Sequence, residues 1–268
     1  GRIFFAGEAA NPDYGSTVHA AYESASHAVE AIEEEDHEDI AVIGAGVAGL
    51  RAAQMLADLT QAAAQLGADD AVRVVILAGA GKSFCAGGDL GWMQQQMALS
   101  PDDRAREAGK LAHMLQALNT LPKPLIGAVH GNAFGGGVGM ASVCDIAIGA
   151  DHIRMGFTET RLGIIPATIG PYVIARMGAG RARRVFMHAR LFKAAAAVDL
   201  GLLARAVPAD DLAEAVEAEV APYLSCAPGA VAAAKKLARD LGPRIDADTI
   251  DMTIGALKSR WETEEAQE

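Results

Sequence analysis

The sequence predicts an α/β fold whose C-terminal third is helical, on three observations. Val72–Ala78 and Leu125–Val129 are short apolar runs of the length and composition of buried strands. Each runs into a glycine-rich stretch, 79–88 and 131–137, that opens a helical pattern. Beyond Thr168 the Ala and Leu spacing is helical almost to the end. Taken in order, Ile3–Ala6 reads as a short extended segment, 11–15 as a turn, and the stretch from Thr17 as a helix with Val18, Tyr22, Ala25, Val29 and Ile32 on one stripe. Residues 33–39 hold six acids in seven positions, and their mutual repulsion suits a solvated linker. Ile40–Ile43 is the next strand, and a long helix follows to about Leu66. Helices are predicted over Leu90–Ala98 and Asp103–Leu118, the second with Ala108, Leu111, Ala112, Leu115 and Leu118 as its apolar stripe and Pro122-Lys123-Pro124 past its end. Ile146–Ile148 and Arg154–Phe157 are further strands. Helices fill 168–177, 180–189, 193–200, 210–225, 229–241 and 246–261.

Composition excludes several classes. With 268 residues, 51% apolar and 21% charged, the chain is an ordinary globular sequence, far from the disordered regime. No run of eighteen apolar residues suggests a membrane span, so no membrane partner is expected. The net charge of −11 argues against nucleic acid as a partner, and any phosphate contact is local. Three widely spaced cysteines, Cys85, Cys144 and Cys226, contain no CxxC and fit reduced thiols in a cytoplasm better than a disulfide framework or a metal site. Cys85 and Cys144 are read as packed small apolar residues. No basic segment followed by a long apolar one opens the chain, so no secretion signal is expected.

Two stretches carry possible chemistry. Ile40–Gly49 is a GxGxxG that follows a strand and opens a helix, the arrangement in which first-turn amides hold a pyrophosphate. Its mechanism also needs an acid after the next strand, where Ala78-Gly79-Ala80-Gly81 stands instead. Residues 1–10 with 14–22 resemble the C-terminal flavin-contacting motif of the flavin amine oxidases, and Ile40–Gly49 resembles that family's N-terminal fingerprint, in reversed order and without the body between them. The alternatives here are two grafted pieces of an oxidase, or an irregular strand and helices that pack without flavin.

The second stretch is a pair of glycine loops and a carboxylate. Gly81–Gly88 and His130–Gly137 each join a strand to a helix, and glycines let backbone amides approach a ligand closely. Two such loops converging on one carbonyl oxygen outline an oxyanion hole, strengthened by the dipole of a helix opening at Gly137. Glu159 lies in an otherwise apolar stretch, where burial would raise its pKa into the range useful for acid–base work. Spacing alone does not bring these three together.

From about Ala53 onward the chain resembles the crotonase (enoyl-CoA hydratase/isomerase) superfamily. Ser83–Leu90, His130–Gly139, Cys144–Ile148 and Glu159–Pro166 carry the resemblance. It implies a ββα superhelix with a C-terminal helical oligomerisation region, homotrimers or paired trimers, and an acyl-CoA substrate with no separate cofactor and no metal. By the same resemblance the amides of Gly88 and Gly136 form the oxyanion hole, Ala86, Asp89 and Leu90 line the CoA passage, and Gly139 belongs to the substrate-binding set. The family's hydratases commonly carry two glutamates, at the positions of Gly139 and Glu159. Only Glu159 is a carboxylate here, which implies single-carboxylate chemistry.

Phe134–Gly139, Asp89–Met93 and Pro166–Tyr172 look most like methylglutaconyl-CoA or isohexenylglutaconyl-CoA hydratases, which implies hydration of a branched or glutaconyl 2-enoyl thioester in leucine or acyclic-terpene breakdown. Arg161 or Arg154 would then pair with the distal carboxylate, against the plainer reading of a surface ion pair. Enoyl-CoA isomerisation, an amine-oxidase remnant and an inactive fusion product stand as alternatives. His130 reads as a satisfied strand-end histidine or a substrate contact, Met114 as core or acyl pocket, and Lys82 and the Arg181, Arg183, Arg184 cluster as solvated charges or phosphate contacts. The expected organisation is an amine-oxidase-like segment with its acidic linker at 1–38, a strand-turn-helix segment at 39–52, a crotonase core at 53–190 and a helical region at 191–268. The family's first strands are missing, and Ile40–Ile43 is expected to substitute for one of them.

Overall fold

Val74, Val75, Ile76 and Leu77 are all buried, as expected for an inner strand of a parallel sheet covered on both faces. In the computed structural model, which describes residues 2–6, 40–45, 52–79, 81–85 and 99–267, this strand is β3, Val74–Ala78. It lies third in a six-stranded sheet with β1 (Arg2–Ala6), β2 (Ile40–Ala45), β5 (Leu125–Val129), β7 (Ile146–Ala150) and β10 (Arg205–Val207), in the order β1-β2-β3-β5-β7-β10 and parallel throughout. Ile40 pairs with Val74 and Gly44 with Ala78, so the strand at Ile40 does take a place beside the core sheet.

Strand alternation divides the core in two. Val75 and Leu77 face one cluster with Leu59 and Leu66 of α1 (Ala52–Ala68) and Leu115 and Leu118 of α2 (Pro101–Thr120). Val74 and Ile76 face the other, with Ile126, Ile148 and the Leu212, Val216, Val220 stripe of α7 (Leu212–Leu224). Helix α2 starts where Ser100 caps it, its Oγ accepting the Asp103 N–H at 3.1 Å. Met114 is buried in the helix core.

A second sheet, β4-β6-β8-β9, stands beside the first. Its members β4 (Ser83–Cys85), β6 (Asn132–Phe134), β8 (Arg154–Gly156) and β9 (Phe192–Lys193) are two or three residues long. Two of them, β4 and β6, lie in stretches that the sequence reading treated as glycine loops: three residues are too few to show alternation, and only pairing with each other fixes them as strands. Between the sheets runs α3 (Gly136–Val143), buried from Gly137 onward. Arg176 caps its C-terminal end, donating from Nε to Ser142 O at 3.3 Å and from Nη1 to Asp145 O at 3.0 Å.

The remaining helices are α4 (Gly170–Met177), α5 (Ala179–Phe186), α6 (Ala194–Leu200), α8 (Pro228–Leu241), α9 (Ala247–Trp261) and α10 (Glu264–Gln267). The helix expected over 180–189 ends at Phe186, and that over 210–225 begins with a 3-10 turn at Ala209–Asp211. The turn at 11–15, the helix from Thr17, the acidic run 33–39 and the helix Leu90–Ala98 lie outside the described residues.

Helix α8 buries none of its residues and is tied down by polar contacts: Lys235 Nζ donates to Asp145 Oδ2 at 2.6 Å and to Lys123 O at 2.9 Å. Asp145 Oδ2 also accepts the Leu125 N–H at 2.8 Å, at the start of β5. Asp145→Ala removes both bonds and leaves the lysine half-paired, so it should lower the unfolding free energy by about 2 kcal/mol in urea titrations.

Candidate active site

Helix α3 begins at an unusual backbone position. Its cap, Gly135, has φ +49° and ψ −112°, a combination open to glycine alone. The Gly135 N–H is used by Gly156 O of β8 at 3.0 Å, and its carbonyl accepts from Val138 and Gly139 at 2.9 and 3.1 Å. Gly136 then stands at the first helical position, where an amide has no intrahelical acceptor and the positive end of the helix dipole is concentrated. The next residue, Gly137, allows close packing: a Cβ there would lie 2.7 Å from Cys85 O, so β4 runs against the first turn of α3.

Glu159 opens the 3-10 turn Glu159–Leu162 that follows β8. Its Oε1 is 3.1 Å from where a Cβ on Gly135 would sit, so the carboxyl rests on the bare face of that glycine, next to Gly136. Its Oε2 is shut off from solvent and, among the described residues, has no hydrogen-bond partner. Burial pushes the carboxyl pKa up to about 7, against the opposing pull of the backbone amides of Glu159 and Thr158. At neutral pH such a group takes up and releases protons readily.

Gly139 lies one turn along α3 from Gly135, and a side chain there has no room. A Cβ would come within 2.5 Å of Ile169 Cγ2 and 3.6 Å of Leu115 Cδ1, so Ile169 occupies the volume a second carboxylate would need. Leu111 is 3.9 Å from the corresponding point on Gly136. The apolar residues Leu111, Leu115 and Ile169 thus border α3 at Gly136 and Gly139.

Among the residues proposed from sequence, the structure brings Gly136 and Glu159 together through Gly135 and places Gly139 one turn deeper against Ile169. Gly88, Ala86, Asp89 and Leu90, with Trp92, Met93 and Met97, lie outside the described residues, as does most of the stretch read as oxidase-like. Arg154 and Arg161 are both exposed, as are Lys82 and the arginines of α5. His130 is satisfied at its strand end, with Nε2 2.8 Å from Gly81 O and its pKa lowered by burial. Cys144 is packed, its thiol pushed up to about 12 by burial. Among the described residues, no group of three or more His, Cys, Asp or Glu is placed to hold a metal, and no helix is long and apolar enough to cross a membrane.

Sequence reasoning names Leu111 only as part of a helical stripe and gives neither it, Gly135 nor Ile169 a place at the site. The triple glycine signalled a close approach without saying which glycine receives the carboxyl, and Ile169 looked like one more apolar residue.

Residues 51–268 match the family model described as enoyl-CoA hydratase/isomerase. An enoyl-CoA hydratase homologue of Thermus thermophilus is 32% identical over 184 residues, 69% of this chain and 73% of that one. The enoyl-CoA hydratase ACTT6 of Alternaria alternata is 32% identical over 183 residues, and the chain spans only 59% of its length. Among solved structures, an enoyl-CoA hydratase from Shewanella pealeana has a TM-score of 0.68 at 33% identity, with 80% of this chain and 81% of that one covered. One from Bacillus halodurans has a TM-score of 0.77 over 87% and 96% of the two chains; at 21% identity it speaks to the fold alone.

Two measurements test the geometry. A carboxyl whose folded pKa lies above its ordinary value binds more protons in the native state, so stability falls as pH rises from about 4.5 to about 7. Glu159→Gln should remove that slope, gaining stability relative to wild type over this window in pH-dependent denaturation curves. Gly135→Ala places a side chain in a forbidden backbone region and against Oε1, and should cost about 1–3 kcal/mol in the same assay.

Proposed function

The chain belongs to the enoyl-CoA hydratase/isomerase family, and we propose that it adds water to a 2-enoyl-CoA thioester with Glu159 as its single acid–base group. The observation that carries this reading is the enclosed carboxyl of Glu159, resting on Gly135 at the amide end of α3 with its Oε2 unpartnered among the described residues. In its ionised form Glu159 takes a proton from water as the water oxygen bonds to the β-carbon. The electron pair of the double bond moves onto the thioester oxygen, which accepts from the Gly136 amide and, by family resemblance, from that of Gly88. Each such donor is worth about 3–4 kcal/mol to the developing charge. The same carboxyl returns its proton to the α-carbon, and the thioester carbonyl is restored.

A branched or glutaconyl acyl group is the substrate we favour, on the resemblance of Phe134–Gly139 and Pro166–Tyr172 to hydratases of that class. The apolar border of Leu111, Leu115 and Ile169 suits a branched chain. One observation favours a second reading, double-bond migration. With Ile169 in the volume beside Gly139, position 139 supplies no second carboxylate to hold water, and a lone carboxyl is sufficient to carry a proton from one carbon to another. Assembly as a trimer or hexamer fits the exposed Leu237, Leu241 and Met252 of α8 and α9, and the thiols of Cys144 and Cys226 suit a reducing cytoplasm.

Product analysis by mass spectrometry across short, branched and glutaconyl CoA thioesters decides between these readings. Hydration adds the mass of one water, whereas isomerisation leaves the mass unchanged and in D2O exchanges carbon-bound hydrogen. Glu159→Gln should slow whichever reaction is found by about 10²–10⁴-fold. Undiminished turnover by that variant would contradict the role given to Glu159.

A further inference from the structure

We propose that Arg260, near the C-terminal end of α9, is a positioning residue that holds the Glu159 carboxyl in register with the start of α3; this rests on the reading of Glu159 as the acid–base group. The turn that presents Glu159 closes on Glu159 O, which accepts the N–H groups of Gly163 and Ile164, the latter at 3.2 Å. Gly163 ends the turn in the left-handed region, φ +68° and ψ 3°. Its own carbonyl accepts two bonds from one guanidinium, from Arg260 Nε at 3.0 Å and Nη2 at 2.6 Å. Nη2 also donates to Glu265 Oε2 at 2.5 Å, so the cation is balanced locally and serves as a planar fork.

The neighbouring backbone closes the arrangement. A Cβ on Gly163 would stand 2.2 Å from Glu265 O, so the first turn of α10 lies directly on this glycine. Around the fork, Leu257 and Trp261 of α9 pack with Ile164, Ile165 and Ala167 just past the turn, and with Ala108 of α2. The Arg104 guanidinium lies 5.8 Å over the Trp261 ring, and Lys258 pairs with Asp102 at 2.6 Å. The C-terminal segment is thereby fixed to α2 on one side and to the Glu159 turn on the other. Burial raises the Glu159 pKa and the backbone amides of Glu159 and Thr158 oppose the rise, so the role given to Arg260 is one of placement, through its two bonds to Gly163 O.

The test uses the full chain and compares Arg260→Ala, Arg260→Lys and Glu159→Gln on crotonyl-CoA and the thioester panel above, with amide hydrogen exchange on the same proteins. Arg260→Ala should lower kcat by about tenfold or more while KM stays within about twofold, because a displaced carboxyl impairs chemistry and not thioester binding. It should also move the acid limb of the pH profile below the wild-type position, as the loosened carboxyl becomes hydrated. Exchange should quicken at Gly163 and Ile164 while β5 and β7 stay protected. Arg260→Lys, which can still reach the carbonyl with one donor, should recover part of the lost kcat, and it carries the test if the alanine variant does not fold. Unchanged kcat and an unchanged acid limb in the folded Arg260 variants, with Glu159→Gln inactive, would overturn the role of Arg260 alone. Full activity in Glu159→Gln would overturn the reading of Glu159 on which it rests.

Discussion

An enclosed carboxyl with one oxygen unpartnered among the described residues is costly, and the structure around Glu159 is organised to tolerate one. Oε1 lies close against Gly135, where a Cβ would crowd it at 3.1 Å, and the backbone there, at φ +49°, itself favours glycine. The same glycine starts α3, so the carboxyl and the first-turn amides of that helix share one small volume. The helix is itself buried from Gly137 onward and anchored at its far end by Arg176, which leaves its N-terminal amides little freedom. The ionisable group and the amide end of the helix therefore meet at one junction, between the end of β6 and the turn after β8.

The same junction shows why position 139 carries no side chain. Along the face of α3 that bears Gly135 and Gly139, the first glycine accommodates an acid and the second accommodates Ile169. The result is an apolar surface at the second glycine beside an ionisable group at the first. The closure of the Glu159 turn by Arg260 extends the arrangement to the C-terminal helices, so the carboxyl's position depends on residues from four separate segments.

Much of this was legible in the sequence, for identifiable reasons. The parallel sheet announces itself because β3 and β5 are buried on both faces and so read as unbroken apolar runs, and α2 because its stripe follows the helical period. Glu159 stood out as an acid in an apolar stretch, and the glycine at 139 as a missing one. The second sheet was not legible, since β4, β6, β8 and β9 are two or three residues long and exist through pairing with one another. Nor were the contacts that define the site: which glycine receives the carboxyl, what fills the volume beside Gly139, and which cation holds Gly163. Arg260 is 97 positions from the carbonyl it grips, and nothing local in the sequence links the two.

The central claim is that one specific carboxyl titrates near neutrality because it is buried at the start of α3. Infrared difference spectroscopy of the unliganded protein, taken as pH is raised from about 5 to about 9, reads this without any substrate. The account predicts one protonated-carboxyl band that disappears with a midpoint of about 7 and is missing from Glu159→Gln. A wild-type spectrum with no carboxyl band left at the acidic end of that range, or a band that persists in the glutamine variant, would contradict it.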